Sequence, residues 1–273
     1  MSTARETAPW PPYTFRAHDV RTGSANRMHQ DGLATRLGFR GGFVTGAAYY
    51  GRMTRELVQR FGPDWLERGI VEMAFPKPVH EGDPLTVSGG PLPERAHERA
   101  CLLRGHNADG VEVVRVESWL PDPFPAPDAL AAETPADWEG APRAFSLDTL
   151  ELFRPYRANR FRWSLEDNLF WCRELDDAQA VYAEGPRPPL HPALVVRCLK
   201  QREFATDGVQ VTNRLTIHRA LRVGEEIELL TVPVEKFEKK GNAWVVLYCA
   251  ARVGGIVALE AIQHKILRMR GAA

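Results

Sequence analysis

The sequence predicts an α+β fold made twice over, each half pairing one helix with a meander of antiparallel strands. Three observations lead there. A glycine-rich corner at Gly38, Gly41 and Gly42 feeds a long amphipathic helix; several runs of alternating apolar residues follow it; and the same order of signals returns after a proline-rich stretch. With 273 residues the chain is too long for one small core and suits two domains of ordinary size.

The first half opens with an extended segment over residues 13–20, then a polar turn carrying Asn26 and His29, and a short helix over residues 31–37. From Ala47 the small or apolar residues Ala47, Tyr50, Gly51, Thr54, Leu57, Val58 and Phe61 fall on one face, with Arg52, Arg55, Glu56, Gln59 and Arg60 off it. Ala47, Ala48 and Gly51 leave little bulk at that helix start, so another group is expected to approach the backbone there. Gly62 and Pro63 end the helical pattern. Strands are expected over residues 70–75, 84–88, 99–105 and 111–119, the last two joined by a turn at Asn107, Asp109 and Gly110.

Between Pro121 and Pro142 six prolines interrupt any helix or central strand, and the stretch reads as an extended linker on the surface. The domains are therefore placed at residues 1–120 and 153–273, with the linker at 121–152. In the second half a helix begins near His191 and Pro192, since proline is favourable at a first helical position. Strands return over residues 210–217, 226–236, 244–253 and 256–267. The halves align: residues 77–87 match 219–229, Thr45 and Gly46 match His191 and Pro192, and the Ser24 to His29 spacing matches that of Asp177 to Tyr182.

Lys plus Arg and Asp plus Glu balance at 35 each, so no net field recruits nucleic acid or an anionic membrane. No apolar run is long enough to span a bilayer, and the first residues lack a signal-peptide core, which predicts a cytoplasmic protein. Cys101, Cys172, Cys198 and Cys249 are scattered without a metal-ligand or disulfide pattern and read as small apolar residues, and the histidines show no metal spacing. No metal or cofactor is called for.

Asn26, His29, Asp31, Ala34, Phe39, Gly42 and Gly46, followed by Lys77, Pro78, Val79, Gly82, Asp83 and Leu85, resemble the motifs of the MaoC-like (R)-specific enoyl-thioester hydratases and dehydratases. The resemblance covers most of the first half and, more weakly, the second. It implies a double hot-dog fold: two long helices, each wrapped by a curved antiparallel sheet, a pseudo-dimer within one chain that leaves further homo-oligomers open. It also implies a substrate that is an acyl thioester of coenzyme A or a carrier protein. By resemblance an Asp and a His hold a water and move its proton, but Ser24 stands at the Asp position and Arg27 replaces a Pro. Serine does not ionise near neutral pH, so half of the acid/base pair is missing. In the second half Asp177 takes the acid position and Tyr182 the histidine position, so neither half carries the pair.

Each candidate has two readings. His29 is a titrating general acid/base or a hydrogen-bonded member of its turn. Ser24 and Asn26 orient water or substrate, or Asn26 fixes the turn; Asp31 reads as a helix N-cap. The Gly46 amide polarises a thioester carbonyl, or the glycine serves tight packing. Tyr49 and Tyr50 line an acyl tunnel or fill core. Three functions fit: a hydratase or dehydratase using His29, a thioesterase with a single base, or a non-catalytic acyl-binding or partner subunit.

Overall fold

The computed structural model describes residues 8–20, 26–92, 99–137, 139–205 and 207–271. Its strands are β1 (Trp10–Arg16), β2 (Ile70–Ala74), β3 (Pro84–Pro91), β4 (Arg99–His106), β5 (Glu112–Leu120), β6 (Arg143–Ala144), β7 (Asn159–Phe161), β8 (Phe204–Ala205), β9 (Val209–Ile217), β10 (Ile227–Lys239), β11 (Asn242–Val253) and β12 (Ile256–Arg268). The helices are α1 (Asp31–Arg36), α2 (Gly46–Phe61), α3 (Asp64–Arg68), α4 (Leu165–Glu174) and α5 (Pro192–Cys198). Ten strands make one antiparallel sheet in the order β1-β3-β4-β5-β2-β9-β12-β11-β10-β7, so the second half mirrors the first across the β2–β9 seam. Strands β6 and β8 form a separate parallel pair.

The duplication is visible atom by atom. Val44 N–H donates to Val79 O at 2.8 Å and Leu190 N–H to Leu221 O at 2.7 Å, just ahead of α2 and α5. His80 N–H is bound by the Asp83 carboxylate and Arg222 N–H by that of Glu225, both at 2.9 Å. Gly82 and Gly224, inside these turns, share a φ of 78°, a conformation that glycine adopts without steric cost.

Helix α2 buries nine residues, Ala48, Tyr49, Tyr50, Gly51, Met53, Thr54, Leu57, Val58 and Phe61, against the concave side of the sheet. The low bulk at the helix start was expected to let another group approach the backbone, and at Gly51 that group is protein. A Cβ there would lie 2.6 Å from Leu175 Cδ1 and 2.7 Å from Ala193 Cβ, so α2 presses on α5 and the halves share one apolar core. The two central helices are unequal, with 16 residues in α2 and seven in α5. After α5 the Gln201 side chain bonds both the N–H and the carbonyl of Phe204, which turns the chain toward β8. Pro63 does not end helical structure altogether: after Gly62 closes α2, the chain restarts as α3, whose buried Trp65 donates its indole N–H to Ser118 Oγ at 2.7 Å.

The proline-rich stretch is largely exposed and crosses the convex face of the second half. One 3-10 turn over Ala129–Ala132 places Ala131 on Leu230, Val232, Tyr248 and Ala250, and Arg252 reaches its carbonyls at Ala131 and Glu133.

The contact at Gly51 predicts that Gly51→Leu, which overfills it, lowers stability by roughly 1–3 kcal/mol, read as a lower urea midpoint than wild type. An unchanged midpoint would mean that α2 and α5 do not meet this closely.

Candidate functional site

The turn that carries His29 is a one-turn 3-10 helix, Arg27–His29, capped by Asn26, whose Oδ1 accepts from Met28 N–H at 3.0 Å. Asn26 Nδ2 donates to Gly208 O at 2.7 Å, tying the turn to the start of β9. Beside it Arg27 grips Asp207, through its backbone N–H at 2.8 Å and Nε at 2.7 Å. Burial would raise the Asp207 carboxyl, but the hydrogen bonds and charge of Arg27 hold it below the ordinary value. Arg27 is thus a fastener between the halves.

Half-buried His29 sends Nδ1 to Phe43 O at 2.8 Å. A carbonyl only accepts, so Nδ1 carries the proton; Nε2 keeps its lone pair when the ring is neutral and has no bound partner among the described residues. Gly42 makes this possible, because a Cβ there would lie 2.7 Å from the His29 carbonyl. Asp31 is not the N-cap of α1, a place taken by Gln30; its Oδ1 accepts from Gly42 N–H at 2.8 Å and holds the corner against the turn.

Helix α2 then begins in the same cleft. Thr45, its N-cap residue, makes no side-chain cap bond, and Gly46 and Ala47 line the opening. A Cβ on Gly46 would stand 3.1 Å from the Phe75 ring, so glycine here keeps clear the space between helix start and ring. The orphan N–H groups and dipole of this end favour a partial negative charge. The cleft encloses about 1970 Å³ and is lined from both halves, with nine Lys and Arg against four Asp and Glu.

The equivalent place in the second half is closed. His191, the counterpart of Thr45, caps α5 itself by accepting from Ala193 N–H on Nδ1 at 3.2 Å. That leaves Nε2 to carry the proton toward Asp177 Oδ2, also at 3.2 Å, with both side chains fully buried. Asn168 takes His191 N–H and donates to Tyr182 O and Pro189 O. Asp177 and Tyr182 therefore lie in a sealed knot behind α2, away from the cleft. Burial would raise the Asp177 carboxyl, yet hydrogen bonds from His191 and Gln179 hold it below its ordinary 3.8, while burial pushes the Tyr182 hydroxyl far up.

Of the residues singled out from sequence, the cleft gathers Asn26, His29, Gly46 and Tyr49. Tyr49 stands edge-on to Phe75 at 5.5 Å, whereas Tyr50 is wholly in the core under Leu190 and Trp65. Ser24 lies outside the described residues. Sequence reading missed Phe75, Asp207, Gln210 and Lys265, which also line the cleft. The four cysteines are free and buried; burial pushes the Cys172 and Cys198 thiols up to about 12 and Cys249 to about 11, so these are not thiolates at neutral pH. Among the described residues no group of three or more His, Cys, Asp or Glu could hold a metal ion, and no helix is long and apolar enough to cross a membrane.

This arrangement is a double hot dog: two copies of a helix on a curved antiparallel sheet, joined edge to edge. The "putative MaoC domain protein dehydratase" of Chloroflexus aurantiacus J-10-fl superposes with a TM-score of 0.67 at 12% identity, covering 98% of this chain and 96% of that one. A conserved hypothetical protein from Mycobacterium tuberculosis, described as a double hotdog fold, gives 0.65 at 11% identity over 98% and 97%. The 12:0-ACP thioesterase of Umbellularia californica gives 0.52 at 11% over 94% and 93%. No protein-family model and no curated protein matches the sequence.

A depressed carboxyl stabilises the fold fully above its unfolded-state pKa and loses that contribution as pH falls through the folded-state value. For Asp177 this predicts a urea midpoint that drops as pH falls below about 4, with a shallower drop in Asp177→Asn. Identical slopes would show that the buried pair does not govern acid unfolding.

Proposed function

We propose that the first-half cleft is an acyl-thioester site, and that its chemistry is hydration of an enoyl thioester or the reverse dehydration, with His29 as the acid/base. The observation that carries this reading is that one cleft holds both an uncapped helix start and a histidine whose free nitrogen is fixed by the bond on the other. In this reading the thioester carbonyl oxygen accepts from the N–H groups at Gly46 and Ala47, where the helix dipole favours the enolate charge that develops. His29 Nε2 takes the proton from the water that adds at C3 and supplies one at C2. Asn26 acts through the turn: its amide is used in capping and in the Gly208 tie, so it positions His29. Tyr49 and Phe75 border the carbonyl end. The cation excess along the cleft suits the phosphates of coenzyme A or of a carrier protein's phosphopantetheine.

Thioester hydrolysis is the second reading, and one observation favours it. The carboxylates closest in sequence and packing to His29 are committed, Asp31 to Gly42 and Asp207 to Arg27, so no second acid/base among the described residues stands ready beside it. A lone base is enough to activate water for attack at the carbonyl.

Incubation with enoyl and 3-hydroxyacyl thioesters separates the readings: loss of enoyl absorbance without free thiol marks hydration, and thiol release marks hydrolysis. Neither signal, with ligand binding intact, marks a non-catalytic acyl-binding subunit. His29→Ala should lower turnover by roughly a hundredfold or more, the ordinary worth of a general acid/base. Full turnover in that variant would place the working groups elsewhere. Ser24→Asp restores the acid that the resembled family carries and should raise enoyl hydration; no gain would detach the activity from that pair.

A further inference from the structure

Lys265 is a cation in the cleft that the proposed chemistry does not use. It sits on β12 opposite Val245 of the core and Gln210 of β9, half-buried, and no carboxylate among the described residues forms an ion pair with it. Burial lowers its pKa most and the charge of Lys200 lowers it further, against a partial offset from the Cys249 thiol, and no carboxylate acts to raise it. An ammonium in such a place is costly unless something supplies the opposite charge.

Its neighbours are also unsatisfied. Gln263 donates Nε2 to Gln210 Oε1 at 3.3 Å, which leaves Gln210 to present its own Nε2, buried and without a partner. At the next inward position of β9, Asn213 is 1% exposed and neither end of its amide has a partner. The register slip between the His264 and Lys265 pairings skips Val211 of β9 and sets Gln210 opposite Lys265, as bulges do beside binding sites.

The strand register fixes where the group lies. Two residues before Gln210, the Gly208 carbonyl holds Asn26 of the His29 turn; one residue after it, the Val211 carbonyl holds the N–H of Phe75, the ring under Gly46. Lys265 and Gln210 thus lie on the sheet floor of the cleft that His29 and the α2 start also line. The rim carries exposed cations, Arg27 paired with Asp207, Arg160 paired with Glu228, and Arg202, whereas Lys265 is half-buried and has no carboxylate partner among the described residues.

We propose that Lys265, with the Nε2 donor of Gln210, binds a carboxylate on the acyl group, so that the preferred substrate is a thioester whose acyl chain bears a second, anionic end. This rests on the acyl-thioester reading of the cleft. A phosphate of the carrier is the other source of anionic oxygens, and the test uses probes with and without it.

Binding of succinyl and butyryl thioesters is measured by calorimetry, both as coenzyme A esters and as phosphate-free N-acetylcysteamine esters. The wild type should prefer succinyl over butyryl by tenfold or more in both series. In Lys265→Met that ratio should fall to about one, in Lys265→Arg it should be largely kept, and the Tm of Lys265→Met should equal or exceed wild type because a costly charge is gone. Equal binding of succinyl and butyryl esters by the wild type overturns the inference and leaves the acyl-thioester reading standing. A Lys265→Met loss confined to the coenzyme A series, equal for both acyl groups, assigns the lysine to phosphate and also overturns it. If no thioester of either series binds, the reading of the cleft falls, and the inference with it.

Discussion

The close contact of α2 with α5 at Gly51 governs the rest of the molecule. Two sheets joined at an edge place their helices side by side on the concave face, and only a residue without a side chain lets them meet at this distance. Once they meet, the two helix starts cannot have equal environments. The start of α5 lies beneath α2, with His191 Cε1 only 3.3 Å from where a Gly51 Cβ would stand, so its N–H groups and the histidine must be satisfied internally. The Asp177, His191 and Asn168 network does this. The α2 start has no such roof and opens to the cleft with its cap position unused.

The same asymmetry sets the electrostatics. In the closed half a carboxylate is matched by hydrogen bonds from its neighbours, and what remains is a stabilising knot. In the open half a positive excess remains after such pairs as Arg27 with Asp207 and Arg160 with Glu228: an uncapped helix end, a floor lysine and a cation-rich rim converge on one space. Neutrality of the whole chain, 35 charges of each sign, hides this local excess.

Much of this was legible in the sequence. The repeat aligned Thr45 with His191 and Gly82 with Gly224, and hydrogen bonds and backbone angles match at these places. The α2 stripe was read from spacing, although spacing could not tell which apolar face met a ligand and which met protein: Gly51 faced α5, and of two adjacent tyrosines Tyr49 reached the cleft while Tyr50 filled core. The sequence repeat aligned Asp177 with Ser24 and Tyr182 with His29, but the burial of Asp177 and Tyr182 depended on packing between halves that local pattern does not carry. Lys265 was invisible for a different reason. Ala261, Gln263 and Lys265 alternate regularly on β12, but the skipped residue in β9 that sets Gln210 opposite Lys265, and the cleft that both line, arise from pairing and packing with distant segments.

A duplicated fold with one closed site raises the question of what the second half contributes. It supplies much of the first site's frame: Asp207 and Gly208 anchor the turn on which His29 rides, β9 and β12 lay the floor, and the end of α5 walls the cleft. The closed place in the second half therefore leaves one open cleft, and the knot around His191 holds the start of α5 where α5 packs on α2. A single cleft is thus built from both copies, and the second copy carries charges, such as Lys265, that a symmetric pair would have to place twice.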